Sequence, residues 1–579
     1  MERAAVGRLL GPCAFAAALL ASVLILWHFH DRFWLPQDEG IYANLADRVA
    51  SGETLNVDVQ ELHPGYGTFL NAAALRLFGV ELVSLRYPLI GAALLQAAIA
   101  FVLLARRSVM LAAVGAVGTS TLGVIQFLNP TPNWYCLALA FILAFWMHAF
   151  PRNSATRLIG AGFLVGLAVL FRQISGVWLG IAVVVIALLE TPETPARRSV
   201  LARSTLALLL LLTVAVLVAA RQDEPGGIVM FALWPMAILL IAWRRVTLGD
   251  RDAVVALLQL AAGAGIAAVP LLVHLLAEGS AAAWFTDTVA TAAHLTDIVA
   301  TRRWGAWYAA LMVTAAPQVI VSRDLTMIAN GMYWSILPAL AAVNGLLTIR
   351  ALRRGEDSPD LILPVVAAFY ALVSLFMQNA MYLYFTVGLT LTAVLWSVGR
   401  SRLATRAAWA ALTVLLSVVA VACHAAQPFA RSTIELLEGR RTSTDVVDCA
   451  LPRCGLRLER SILDPYREVV TVIQKEVPPG AAIAVFPSDA ELYFLSDRRN
   501  PFRFYNAAIG LRSSADVERT LTIMHREAPR IMTFRPDDKY ATAATRAVVA
   551  RVRPWYDHIA TVSGIEVYRL KGSDVQRPQ

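Results

Sequence analysis

The feature that most constrains this chain is a succession of apolar runs, each about twenty residues long, separated by polar connections. A run of that length crosses a bilayer as one α-helix, because a helix satisfies every backbone N–H and C=O within its own segment. Such runs occupy residues 9–29, 87–105, 109–128, 133–150, 157–171, 174–190, 203–220, 226–243, 253–277, 328–349, 361–377, 382–399 and 407–425. They predict an α-helical polytopic membrane protein with about 13 transmembrane helices. Composition agrees: 16% of residues are charged, where soluble domains carry about 25%. The first run lacks a small-residue cleavage site and precedes many others, so it reads as an uncleaved span rather than a signal peptide.

Cytoplasmic loops carry an excess of Lys and Arg, which sets the expected orientation. With the N-terminus cytoplasmic, one set of connections collects most of the arginines, including Arg106 and Arg107, Arg244, Arg245 and Arg251, Arg350, Arg353 and Arg354, and Arg400, Arg402 and Arg406. Counting the apolar segment 306–321 as a further span would put Arg350 to Arg354 outside, so that segment is expected to be interfacial or re-entrant. The net charge is +9, but the basic residues are scattered and form no basic helix face, which argues against a nucleic-acid partner.

An odd number of spans divides the chain into a transmembrane domain, 1–425, and a C-terminal extracytoplasmic α/β domain, 426–579. In the latter, YREVVTVIQKEV and SADVERTLTIMHREA have helical spacing, AAIAVF and RIMTF read as strands, ATAATRAVVARV as a helix and HIATVSGIEVYRL as a hairpin. No Gly-rich phosphate fingerprint follows the first strand. An outside location permits disulfides, so Cys449 and Cys454 either bridge or stand as two surface thiols.

The outward connections hold polar residues in unusual settings. The loop at about 30–86 is too long for a simple link. Its segments DEGIYANLADRVASG and HPGYGTFLNAAALRLFG predict two helices lying on the membrane surface. Asp38 and Glu39 open the first. An N-cap would account for Asp38 alone; a functional site would account for an acidic pair followed by His63-Pro64. Arg172 and Gln173 interrupt apolar segments, either as a snorkelling span end or as the lining of a polar cavity, where a guanidinium suits a phosphate. Trp134, Tyr382 and Tyr384 fit an interfacial aromatic belt or a surface on which a sugar stacks. In the loop 278–305, His294, Asp297, Arg302 and Arg303 fit a solvated face or an acceptor site.

A first span, then Asp38-Glu39-x-x-Tyr42, an amphipathic helix ending at Ser51-Gly52, and His63-Pro64 opening a second helix resemble the integral-membrane glycosyltransferases of the class C fold. The nearest groups are protein O-mannosyltransferases, lipid A aminoarabinose transferases and galacturonosyltransferase-like relatives. The family's usual second proline is here Gly65. The resemblance implies sugar transfer from a polyprenyl-phosphate donor to a hydroxyl of a glycolipid, glycan or protein, by a single inverting displacement. It places the reaction on the extracytoplasmic side of a bacterial-type inner membrane. Asp38 would be the general base, and Glu39 would support it or help hold a divalent cation. No other cofactor is implied. His63 and Arg172 would face the donor phosphate, with Gln173 beside them; Tyr42 would join Trp134, His294, Tyr382 and Tyr384 at the substrate pocket. A transporter or flippase would instead carry paired ionisable residues inside several spans, whereas here the polar residues cluster at outer ends. An envelope polysaccharide ligase or polymerase usually carries its large loop late in the chain.

Overall fold

The computed structural model describes residues 2–152, 154–190, 199–219, 225–293, 313–314, 316–323, 325–356, 358–378, 380–426 and 445–572. The first apolar run is α1 (Glu2–Phe29). The long connection at 30–86 then forms α2 (Pro36–Ala50) and α3 (Tyr66–Phe78). Next come α4 (Tyr87–Ala105), α5 (Val109–Leu122), α6 (Pro132–Ala149), α7 (Ala155–Phe171), α8 (Gln173–Leu189), α9 (Val200–Ala219), α10 (Leu233–Arg245) and α11 (Asp250–Ala277). They are followed by α12 (Leu325–Arg354), α13 (Ser358–Tyr370), α14 (Tyr384–Val398) and α15 (Leu403–Ala426). Among the described residues, ten helices are long and apolar enough to cross a membrane. Three shorter apolar helices, Ala155–Phe171, Gln173–Leu189 and Pro359–Leu375, coincide with further expected spans. Of the segment 306–321, most lies outside the described residues, and Gln318–Val321 forms one helical turn. Helices α7 and α11 approach through glycines, Gly162 against the Leu260 carbonyl and Gly263 against that of Ile159; small residues permit such backbone contact between spanning helices.

Past residue 444 the chain forms a small α/β unit. Its elements are β1 (Val446–Asp448), β2 (Arg457–Glu459), α16 (Arg460–Glu476), β3 (Ala484–Phe486), α17 (Glu491–Ser496), α18 (Ser514–Glu527), β4 (Ile531–Phe534), α19 (Ala543–Val552), β5 (Tyr556–Val562) and β6 (Ile565–Leu570). The four-stranded sheet has the order β3-β4-β6-β5, with β3 and β4 parallel and the other pairs antiparallel. Helix α16 buries Leu463, Tyr466, Val469, Val470 and Ile473, the spacing of one helix face. Ser513 and Asp516 open α18 with reciprocal side-chain-to-backbone bonds, which satisfy two of its orphan N–H groups. Cys449 and Cys454 are joined by a disulfide.

Helix α2 departs from the expected surface helix. It does not offer its apolar face to lipid, because the C-terminal unit already covers that face. Ala43, Leu45 and Ala46 share one apolar cluster with Leu463, Ile473, Leu492 and Phe494. Gly40 packs against the backbone of Glu491, where a side chain would collide. Polar bonds stitch the same seam: Arg48 Nη1 donates to the Phe502 carbonyl (2.8 Å), Arg453 Nη2 to Asp47 (2.7 Å), and the Gln60 N–H to the Arg503 carbonyl (2.8 Å). The 30–86 connection and the C-terminal unit are therefore packed together although about 400 residues separate Asp47 from Arg453.

Candidate active site

Pro36 starts α2, its fixed φ suiting the first helical position. Leu35 takes the N-cap position and makes no side-chain cap bond. Asp38 is thus already inside the first turn, and capping does not explain it. Its half-buried carboxylate accepts from Asn129 Nδ2 at 3.4 Å. Burial pushes its pKa up, and the nearby positive charge of Lys539 opposes that push. Tyr42, Tyr382 and Tyr540 are electrostatic neighbours of the same carboxylate. Tyr42 donates to Thr131 Oγ1 at 3.3 Å, and Thr131 caps α6, so α2 is held to the entry of a spanning helix.

Arg172 sits at the break between α7 and α8 with extended backbone. Its side chain is 3% exposed, which excludes the snorkelling alternative. The guanidinium donates to Ser175 Oγ at 3.2 Å and lies over the Tyr382 ring at 5.2 Å. Tyr382 therefore neighbours both Asp38 and Arg172. Gln173 does something other than the expected phosphate contact. Its amide nitrogen donates to the Leu62 and Thr288 carbonyls, both at 2.9 Å, and an amide nitrogen has only two protons to give. Trp284 Nε1 donates to the Pro64 carbonyl at 3.0 Å. Gln173 and Trp284 thus fix the backbone on either side of His63.

His63 Nδ1 lies 3.0 Å from Glu61 Oε1, and Thr68 Oγ1 donates to Glu61 Oε2 at 2.6 Å. Burial alone would push the Glu61 carboxyl up, but these hydrogen bonds and the His63 charge bring it below its usual value. Glu61 was missed in the sequence, although an acid two residues before His63 was visible there. Gly65 has φ +118°, a value that proline, fixed near −65°, cannot adopt. The turn after His63-Pro64 is therefore built differently from one carrying a second proline.

Several expected site residues lie elsewhere. Glu39 Oε1 accepts from Arg86 Nη2 at 2.7 Å, both side chains being fully buried. Burial lifts Glu39 to about 7 against the pull of Arg86. Arg86 also donates to the carbonyls of His30, Arg32 and Phe33, so the pair anchors the link from α1 to α2. Trp134 is core, its Nε1 donating to the Phe127 carbonyl at 3.0 Å and its ring packing on Phe385. Tyr384 is core as well, between Tyr333 and Trp334. In both, an aromatic at a span end turned inward, where it buries more area than at an interface. His294, Asp297, Arg302 and Arg303 lie outside the described residues. Among the described residues, no three His, Cys, Asp or Glu side chains gather as a metal set. Glu39 is engaged by Arg86, so its expected part in holding a cation is taken up by that pair, and no step below runs through one.

The C-terminal unit supplies what sequence inspection did not assign. Gln37 Nε2 donates to Asp538 Oδ2 at 2.7 Å, and Ser488 Oγ to the same oxygen at 3.1 Å. This brings Lys539 and Tyr540 beside Asp38. Tyr505, from the same unit, is an electrostatic neighbour of Glu61 and Tyr42. Arg503 pairs with the buried Asp287 at 2.5 Å, tying the unit to the segment after α11.

The whole is a helical body with many apolar, membrane-length helices, whose polar site is covered by the C-terminal unit. No protein-family model matches the chain, and no curated protein does. Its neighbours among solved structures include ArnT from Cupriavidus metallidurans, bound to undecaprenyl phosphate. That likeness covers 99% of this chain and 100% of the other, at 14% identity and a TM-score of 0.41. The oligosaccharyltransferase of Archaeoglobus fulgidus, in complex with zinc and sulfate, is similar over 96% of this chain and 73% of its own, at 12% identity and a TM-score of 0.43.

Proposed function

We propose that the chain transfers a sugar from a polyprenyl-phosphate donor to an acceptor hydroxyl of a glycolipid, glycan or protein, with inversion and with Asp38 as general base. One observation carries this: a carboxylate and a buried guanidinium, Asp38 and Arg172, flank Tyr382 at the ends of the spanning helices. A prenyl phosphate is a charged head on a lipid tail, so its site belongs at that level.

The acceptor oxygen attacks the anomeric carbon while the bond from that carbon to the phosphate oxygen breaks. The acceptor proton passes to Asp38, and the bonding electron pair leaves on the phosphate. Burial of Asp38 suits a base, since a carboxylate with a raised pKa takes a proton more readily. Arg172 stabilises charge growing on the leaving phosphate, and Lys539 is a second cation near the reacting groups. His63, held by Glu61, meets the donor head in this reading, and Tyr42, Tyr382 and Tyr540 supply ring faces for the sugar. Arg107, Arg350, Arg354 and Arg400 gather around one cavity at the other end of α14. That grouping supports a cytoplasmic location for their end and an extracytoplasmic one for Asp38, in a bacterial-type inner membrane.

The test is Asp38→Asn in purified full-length protein, assayed against a panel of synthetic polyprenyl-phosphate sugars. Folding and donor binding should persist while transfer falls by about 10² or more, the usual contribution of a general base. Transfer at the wild-type rate would remove Asp38 from that role.

A further inference from the structure

We infer that the chain has a second anion site, at the end of the helical body opposite Asp38, that takes the phosphodiester head group of an anionic membrane phospholipid. A cavity of about 320 Å³ opens there between the ends of α12 and α14, the start of α13 and the turn after α4. Four arginines and two carboxylates line it. Asp360 accepts from both Arg107 and Arg400, and Glu356 from Arg400 at 3.3 Å. Arg107 Cζ lies over the Trp396 ring, 4.2 Å from its centroid, and Trp396 Nε1 donates to the Asp360 carbonyl at 3.2 Å. These contacts fix the walls and use both acids on two of the arginines.

Arg350 and Arg354 remain. They stand four residues apart on α12, hence on one face and one turn apart. Among the described residues neither makes an ion pair or a side-chain hydrogen bond. Two neighbouring guanidiniums facing a cavity, with no carboxylate between them, repel each other until an anion enters. A phosphate fits them better than a carboxylate, because its oxygens can take paired N–H donors from both. The setting decides between lipid and solute. Arg107, Arg354 and Arg400 each follow directly on an apolar helix or end one, so the cavity sits at head-group depth, where basic pockets between helices hold anionic lipid heads. From Tyr382 to Arg400 the mainly helical chain advances about 27 Å at 1.5 Å per residue. The pocket is therefore separate from the donor site and does not depend on the proposed reaction.

The experiment follows thermal unfolding of the full-length protein in detergent during titration with phosphatidylglycerol, phosphatidylcholine or inorganic phosphate. Phosphatidylglycerol should raise the midpoint saturably, as any ligand selective for the folded state does. Phosphatidylcholine should not. In Arg350→Ala/Arg354→Ala the half-saturating phosphatidylglycerol concentration should rise about tenfold or more. In Arg244→Ala/Arg251→Ala, which loses the same charge away from the cavity, it should stay at the wild-type value. An equal response to phosphatidylcholine, or an equal loss in both double variants, would overturn the site. Saturation by inorganic phosphate alone, with no further effect of phosphatidylglycerol, would overturn the lipid assignment.

Discussion

Lys539 holds the Asp38 carboxyl below the point to which burial alone would push it. In the proposed reaction Asp38 has to be ionised to take the acceptor proton, so turnover should be present above its pKa and lost as pH falls through it. Lys539→Met removes the opposing charge, and the Asp38 pKa should climb further. The acid limb of kcat/KM should then lie at higher pH in the variant than in the wild type, with the alkaline side unmoved. A limb in the same place would show that Lys539 does not act on the base. The residue scale also separates the two adjacent acids. Among the described residues, the Asp38 carboxylate accepts a hydrogen bond from the neutral amide of Asn129 and from no other side chain, whereas Glu39 is spent on Arg86. Nothing in the stretch Pro36–Tyr42 distinguishes them, because Glu39's partner lies 47 residues on, at Arg86.

At the scale of elements, α2 carries the proposed base and is positioned by what lies across it. Gly40→Val would drive a branched side chain into the Glu491 backbone. The expected cost is about 1–3 kcal/mol of stability, the usual range for overpacking, with transfer reduced because α2 must shift. Thermal unfolding and turnover of the variant check both. The spans were legible because each apolar run is a local property, readable without knowing its neighbours. The small sheet was legible too, from alternating patterns and the Ser563-Gly564 turn, where both residues have positive φ. Which face of an element meets which partner is not local. Trp134 and Tyr384 sit at span ends, as belt residues do, and only the packing of α14 against α6 and against α12 makes them core. For the same reason α2 read as a lipid-facing helix: its apolar stripe fits lipid and the C-terminal unit equally well.

At the scale of the whole molecule, the site depends on both ends of the sequence. Gln37 and Asp538, 501 residues apart, share a hydrogen bond over it. The orientation proposed for the arginine-rich end makes a direct prediction. A reporter fused after residue 572, active only outside the cytoplasm, should be active there, and a cytoplasm-only reporter at the same place should be silent. The reverse pattern would place Asp38 on the wrong side for the proposed reaction. The bond between Gln37 and Asp538 also bears on how the protein is made. Ribosomes add about 5–20 residues per second, so about 25–100 s pass between the synthesis of these two residues. During that interval α2 stands without the unit that covers it, and Asp38 lacks Lys539 and Tyr540. If the proposed reaction holds, a chain stalled or cut short before residue 538 should insert with Asp38 present and yet transfer no sugar, because the groups that neighbour that carboxylate come last.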